Sequence, residues 1–205
     1  MTQVRIAAQL NMLQSRVHSS LNLLSEAKTA GMHPFQLQRV AELCALRIFM
    51  AWEAFLEDTF LRYMCGATSI GGLKPSCCAI PRDLKHARDI VCGMSNRDFI
   101  DWASPDKVIQ RSMLYFHDGE PFNSAVSPAT VELRDFRTVR NRIAHDSDQA
   151  RNDFAKLVRH HLGSVPRGMG PGRFLTTVNP NRTGQLTYLG HWSGLVGAVA
   201  VLVAA

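Results

Sequence analysis

From Pro34 to about Met64 nothing in the sequence interrupts a helix. Pro34 stands where a first helical turn tolerates a missing N–H, and neither Gly nor a further Pro follows it across that span. An unbroken stretch of this length is predicted to be one long helix. Its middle, Leu43 to Leu56, is apolar nearly all round, with Leu46, Ile48, Phe49, Met50, Trp52 and Phe55. A helix apolar on every side must be covered on every side, which makes it the central, most buried element of an all-α, up-and-down bundle. The charged exceptions Arg39, Glu42, Glu53 and Glu57 fall close to one line of the helical wheel, where the null expectation is a solvated edge.

The rest of the chain supplies partners for that helix. Apolar residues recur at helical spacing from Val4 to Ala30 (Ile6, Leu10, Leu13, Val17, Leu21, Leu24), and Gly31 supplies the stop. Residues 65–81 carry three glycines and two prolines and read as a loop. Shorter helices are predicted at about 82–92, at 97–103 after a Ser95 or Asn96 cap, and at 105–116. A connection over 117–128 follows, then a helix that Ser127 caps and Pro128 opens, and a last helix over about 147–162, with Asp146 and Asp148 as its capping residues. Beyond Leu162 the composition changes: residues 163–205 hold 8 of the 14 glycines and 3 of the 9 prolines. The expected organisation is a helical domain over 1–162 and a Gly/Pro-rich basic tail over 163–205, with a small hairpin (Phe174–Val178 with Leu186–Leu189) or partly disordered.

Charge points toward a polyanionic partner. The net charge is +6, and the last acidic residue is Asp153, beyond which Lys156, Arg159, Arg167, Arg173 and Arg182 have nothing to offset them. Five cysteines form an odd set without a repeated CxxC spacing, which predicts reduced thiols and a cytoplasmic protein. Cys65, Cys77, Cys78, His86 and Cys92 match no common zinc spacing, so no metal and no cofactor are expected. His160-His161 reads as a basic helix end. The apolar run from Leu195 to Ala205 is about half the length that spans a bilayer, and no membrane role is expected.

One segment carries chemistry. On an ideal helix stepping about 100° per residue, Val131, Phe136, Val139 and Ile143 gather on one side, with Leu133 and Ala144 at its edge. Arg134, Thr138, Asn141 and His145 form a stripe nearly opposite, while Arg137 and Arg140 lie between the faces. The result is an anchored helix presenting a ridge of fixed positive charge, a neutral amide, and an imidazole that titrates near neutral pH. Phosphate chemistry uses that set, although Arg and Asn on an exposed face and a His near a helix C-terminus also serve simply as solvated charge and dipole partner.

Arg140-Asn141-Arg142-Ile143-Ala144-His145 resembles the Arg-x4-His motif of HEPN ribonucleases, with Asn141 in the polar position after the Arg. The segment from Leu46 to Glu57 likewise resembles the long hydrophobic HEPN helix with an acidic residue in its middle. The resemblance covers roughly residues 1–162 and is nearest to HEPN domains of bacterial toxin–antitoxin and phage-defence loci. It implies metal-independent cleavage of RNA, in which a ribose 2′-hydroxyl attacks the adjacent phosphate. His145 would exchange protons with the attacking or leaving oxygen, Arg140 would stabilise the phosphorane, Asn141 would orient the phosphate, and Glu53 would support Arg140. Arg134, Arg137 and Arg142 are the expected RNA contacts. It further implies a homodimer that completes the active site, and an antitoxin protein as a possible partner. Two alternatives stay open: a non-catalytic HEPN-like module that binds RNA, a nucleotide or a nucleotidyltransferase antitoxin, and an interaction domain that uses the ridge as an oligomer contact. A geometric difficulty accompanies the catalytic reading, because Arg140 lies about 140° round the helix from His145.

Overall fold

A computed structural model of the chain describes residues 6–93 and 100–205. Its helices, in chain order, are α1 (Ile6–Thr29), α2 (Pro34–Met64), α3 (Leu84–Cys92), α4 (Pro105–Tyr115), α5 (Phe122–Val126), α6 (Thr130–Ala144), α7 (Asp148–Leu162), α8 (Pro171–Thr176) and α9 (Tyr188–Ala204). Among the described residues β pairing is confined to two isolated antiparallel bridges, Cys77 with Phe116 and Val178 with Thr187. The fold is all-α, as the breaker-free stretch of α2 requires.

The local signals act largely where the sequence places them. α1 ends in a left-handed Gly31 (φ 70°), and the Met32 N–H returns to the Ala27 carbonyl at 3.1 Å. Asp83 caps α3, accepting from the His86 N–H at 2.8 Å. Other signals resolve differently. Ser127 is not a cap: its backbone is helical (φ −56°, ψ −44°), and its hydroxyl donates to Asn123 Oδ1 at 2.9 Å. The connection before it already contains a 3-10 turn and α5, and Ser127 itself opens a second 3-10 turn, so α6 grows out of existing helical turns and needs no cap. The cap of α7 is Ser147, which accepts from the Ala150 N–H at 3.2 Å, rather than Asp146 or Asp148. Of the helix predicted at 97–103, residues 97–99 and the proposed Ser95 or Asn96 cap lie outside the described residues, and Ile100–Ala103 are not helical.

The chain condenses into two compact units, and α1, α2 and α9 each contribute to both. The first comprises Met1–Gln14, Ala51–Thr130 and Gly197–Ala205. Its centre is Phe60, fully buried, with ring centroids of Trp102, Phe116 and Phe122 at 5.1, 4.9 and 5.0 Å. Such edge-on and tilted pairs add directional attraction to the area they bury. The Tyr63 hydroxyl donates to the Val203 carbonyl at 2.8 Å, and Gln9 Nε2 to Asp58 Oδ2 at 3.0 Å.

The second unit comprises Ser15–Met50 and Val131–Val196. Here α6 buries Leu133, Phe136 and Val139. Phe136 meets Phe49 of α2 edge-on at 5.2 Å and stacks on Trp192 of α9 at 5.3 Å. Phe174 of α8 stacks on Tyr188 at 4.2 Å and meets Phe154 of α7 at 5.9 Å. Burial raises the Tyr188 phenol above its ordinary pKa, with Asp135 adding to the effect.

Residues 163–205, expected as an appendage, supply α8 and α9. The expected hairpin contracts to the single Val178–Thr187 bridge, because Phe174 belongs to α8 and Leu189 to α9. The glycine count there is misleading. Leu189, Trp192, Val196, Val199, Ala200 and Val203 recur at helical spacing and are all buried. Burying such side chains is worth roughly 1.5–3 kcal/mol each, which outweighs about 1 kcal/mol per helical glycine. Among the described residues no helix is long and apolar enough to cross a membrane.

Candidate active site

α6 is set by its buried stripe of Leu133, Phe136 and Val139. The sequence places Val131 in that stripe, but it is 63% exposed. The stripe starts at Leu133 instead, and Ile143 is only half-buried. Rotating the buried face toward Leu133 turns the Arg134 edge outward: Arg134 and His145 are exposed, whereas Arg137, Thr138, Arg140, Asn141 and Arg142 are half-buried.

The helix does not loosen at the motif. The His145 N–H still bonds the Asn141 carbonyl at 2.9 Å, so Asn141 and His145 stand one regular turn apart on one face. Arg140 starts from a different face and is redirected. Its guanidinium lies over the Phe49 ring, 5.7 Å from the centroid, and its Nη1 donates to Asn141 Oδ1 at 3.2 Å. Phe49 acts as a shelf that favours the cation by its ring face. The offset read from the helical wheel is thus reduced by the length of the arginine side chain. Arg140 and Asn141 form one polar unit, with the exposed His145 imidazole a turn beyond it.

The corner that follows is tied by charge. Arg142 Nη1 donates to the His145 carbonyl at 3.4 Å and pairs with Asp146 at 3.1 Å. Arg151 of α7 pairs with the same Asp146 at 2.7 Å and with Asp148 at 3.4 Å. The hydrogen bond and charge of Arg151, helped by Arg142, hold the Asp146 carboxyl below the usual aspartate range. Arg142, expected as an RNA contact, is therefore engaged within the protein. Arg134 keeps its exposed position, with Thr138 Oγ1 bonded to its carbonyl at 2.9 Å.

Glu53, the expected support for Arg140, is a half-buried residue of α2 that takes part in polar interactions of its own. Two acids of α6 itself join the helix to its neighbours in the second unit. Glu132 pairs with Arg182 at 2.7 Å and, more closely still, with His191 of α9. Asp135 pairs with His161 of α7 at 2.8 Å, and that imidazole packs against Tyr188 and Trp192. Thus His161, in the basic last turn of α7 with Arg159 and His160, also anchors α6. Nothing in the spacing marks these pairs except that Glu132 and Asp135, three apart, share one edge of α6. Glu42 and Glu57, expected on a solvated line, also have partners: Glu42 binds Arg39 and the Gly172 N–H, and Glu57 binds Arg88. Among the described residues no three His, Cys, Asp or Glu side chains cluster as metal ligands.

Comparisons with family models, with curated proteins and with solved structures find no match to this chain.

Proposed function

We propose that the chain is a HEPN-type endoribonuclease that cleaves RNA with Arg140, Asn141 and His145 and needs no metal ion for the step. The observation that carries the proposal is the Arg140–Asn141 contact at 3.2 Å over Phe49, one helical turn from an exposed His145. It supports the reading because cation and amide are in contact and the imidazole follows one turn on, along a helix anchored by Phe136 and Val139.

In this mechanism the ridge receives a phosphodiester. The Arg140 guanidinium faces the non-bridging oxygens, where negative charge grows as the 2′-hydroxyl attacks. The Asn141 amide N–H group orients the same phosphate, since its oxygen already accepts from Arg140. His145 takes the proton of the attacking hydroxyl or gives one to the departing 5′-oxygen. One imidazole cannot do both at once, so a second copy of the chain supplies the other histidine across a homodimer. The products are a 2′,3′-cyclic phosphate and a 5′-hydroxyl. Arg134 and Arg137 carry the flanking phosphates. Cytoplasmic RNA as target and an antitoxin protein as inhibitor belong to the same proposal.

The test is RNA cleavage by the purified protein in excess chelator. His145→Ala and Arg140→Ala are expected to lose about 100-fold or more of the rate, with unchanged circular dichroism. Cleavage equal to wild type in His145→Ala, or none by the wild-type protein on any single-stranded RNA, refutes the proposal.

A further inference from the structure

A second set of reactive side chains lies at the C-terminal end of α2, in the first unit and apart from any use of the α6 ridge. Cys65 follows α2 directly, its N–H still bonded to the Leu61 carbonyl at 3.1 Å. The chain then doubles back: the Ser69 N–H bonds the Leu73 carbonyl at 2.7 Å, and the Gly72 N–H bonds the Ser69 carbonyl at 3.1 Å. Gly66 (φ 82°) and Gly72 (φ 87°) turn it in conformations other residues resist. On the return path Lys74 lies against Gly66, its Cε and Nζ both 3.2 Å from where a Cβ would stand. Cys65 and Cys77 both line one cleft of about 510 Å³ with Tyr63, Lys74 and Ile80, near enough that the charge of Cys77 acts on Cys65.

We propose that Cys65 and Cys77 form a dithiol that closes reversibly into a disulfide across this cleft. The backbone beside Cys77 is held. Behind Cys77, the Cys78 N–H bonds the Tyr115 carbonyl at 2.8 Å and the His117 N–H bonds the Ser76 carbonyl at 3.0 Å. The neighbouring Cys78 is exposed and does not line the cleft, as expected where extended backbone turns successive side chains to opposite sides. Cys44 is buried and bonded through its Sγ to the Ser20 carbonyl at 3.1 Å in the other unit.

The oxidant is a low-molecular-weight disulfide such as oxidised glutathione. The exposed Cys65, as thiolate, attacks one sulfur of that disulfide and expels one thiolate, which takes up a proton. The half-buried Cys77, losing its own proton, attacks Sγ of Cys65 and expels the second. The protein gives up two electrons and two protons, and the small disulfide becomes two thiols. Burial holds both protein thiols above their ordinary pKa, with Asp83 and Cys77 adding to the effect at Cys65 and Cys78 at Cys77, so the exchange accelerates toward alkaline pH.

The experiment treats the full-length protein with oxidised glutathione, alkylates the remaining thiols and maps the peptides. Two of the five thiols are expected to disappear into a Cys65–Cys77 link. Cys78→Ser leaves the link intact, whereas Cys65→Ser and Cys77→Ser give only a mixed disulfide with glutathione. Phenylarsine oxide, which needs two adjacent thiols, is the independent probe: one equivalent binds wild type and Cys78→Ser, and binding is lost in either other variant. A Cys77–Cys78 or Cys65–Cys78 link, mixed disulfides only in the wild type, or arsenical binding that survives Cys65→Ser overturns the proposal. Mapping and arsenical binding on the wild type decide it even where a variant fails to fold.

Discussion

Gly172→Ala tests whether α8 is an integral part of the second unit. Gly172 sits in the first turn of α8, where its N–H has no partner within the helix. That N–H is capped from another element: it donates to Glu42 Oε1 of α2 at 2.9 Å. The approach is so close that a Cβ on Gly172 would stand 2.7 Å from the Gln38 carbonyl carbon and nearer still to its oxygen. Both are backbone atoms of α2 and cannot step aside as a side chain would. Alanine therefore forces α8 off α2, with an overpacking cost of about 1–3 kcal/mol and the loss of a hydrogen bond to a charged acceptor worth about 1.5–3 kcal/mol. A total of about 3–5 kcal/mol corresponds to a fall in Tm of roughly 6–20 °C for a chain of this size. Gly194→Ala is the internal control. It lies inside α9 with nothing within 4 Å of its Cβ position, so alanine gains about 1 kcal/mol of helix propensity and raises Tm by a few degrees. Thermal unfolding followed by circular dichroism reads both. A Gly172→Ala protein melting within about 2 °C of wild type would refute the seating of α8 on α2.

Two further contacts carry testable outcomes. Tyr63→Phe leaves the buried Val203 carbonyl without its donor and is expected to cost about 1–3 kcal/mol in chemical denaturation; a neutral substitution would contradict that bond. Burial pushes the Tyr63 phenol up to about 12, so the stability it contributes is complete below its ordinary value of 10.0 and is lost as pH climbs from there, which alkaline ultraviolet titration with and without Tyr63→Phe resolves. The Asp146 carboxyl, held low chiefly by Arg151, contributes stability present above the ordinary aspartate value and lost as pH falls through its lowered one. Carboxyl NMR is expected to show its midpoint rise in Arg151→Ala, and an unmoved midpoint would show that the pair does not form in solution.

How much of this was legible in the sequence depended on the kind of signal. The span of α2 was readable because helix breakers act locally: Pro34 and the glycines beyond Met64 delimit it whatever packs around it. Its environment was less so. Leu43 and Met50 were expected to be covered, yet they are 65% and 61% exposed, since an apolar circumference states what a helix tolerates rather than what surrounds it. The residues after Leu162 were misjudged because glycine and proline frequency was weighed above the spacing of Leu189, Trp192, Val196 and Val199, the quantity that decides burial. The pairs Glu132–His191 and Asp135–His161 were invisible, as each joins positions far apart in the chain whose meeting depends on how α7 and α9 fall against α6.

The ridge itself shows where a helical wheel stops being informative. A wheel assigns directions to Cα–Cβ bonds, and on that measure Arg140 and His145 diverge by about 140°. Catalysis concerns the ends of side chains, and an arginine has four rotatable bonds with which to depart from its wheel position. The surface beneath it helps to set its direction. Here that surface is Phe49, over which the guanidinium lies on its way to Asn141 Oδ1. Because the helix stays regular through the His145 N–H, neither an unwound turn nor a partner's arginine is required to put cation and amide on one ridge. Under the ribonuclease proposal this narrows what a second protomer must contribute. Each chain brings its own phosphate-holding pair, and the partner is needed for a second imidazole. Phe49 then becomes the residue whose truncation separates packing from chemistry: Phe49→Leu keeps an apolar side chain beneath α6 but removes the ring face that holds Arg140.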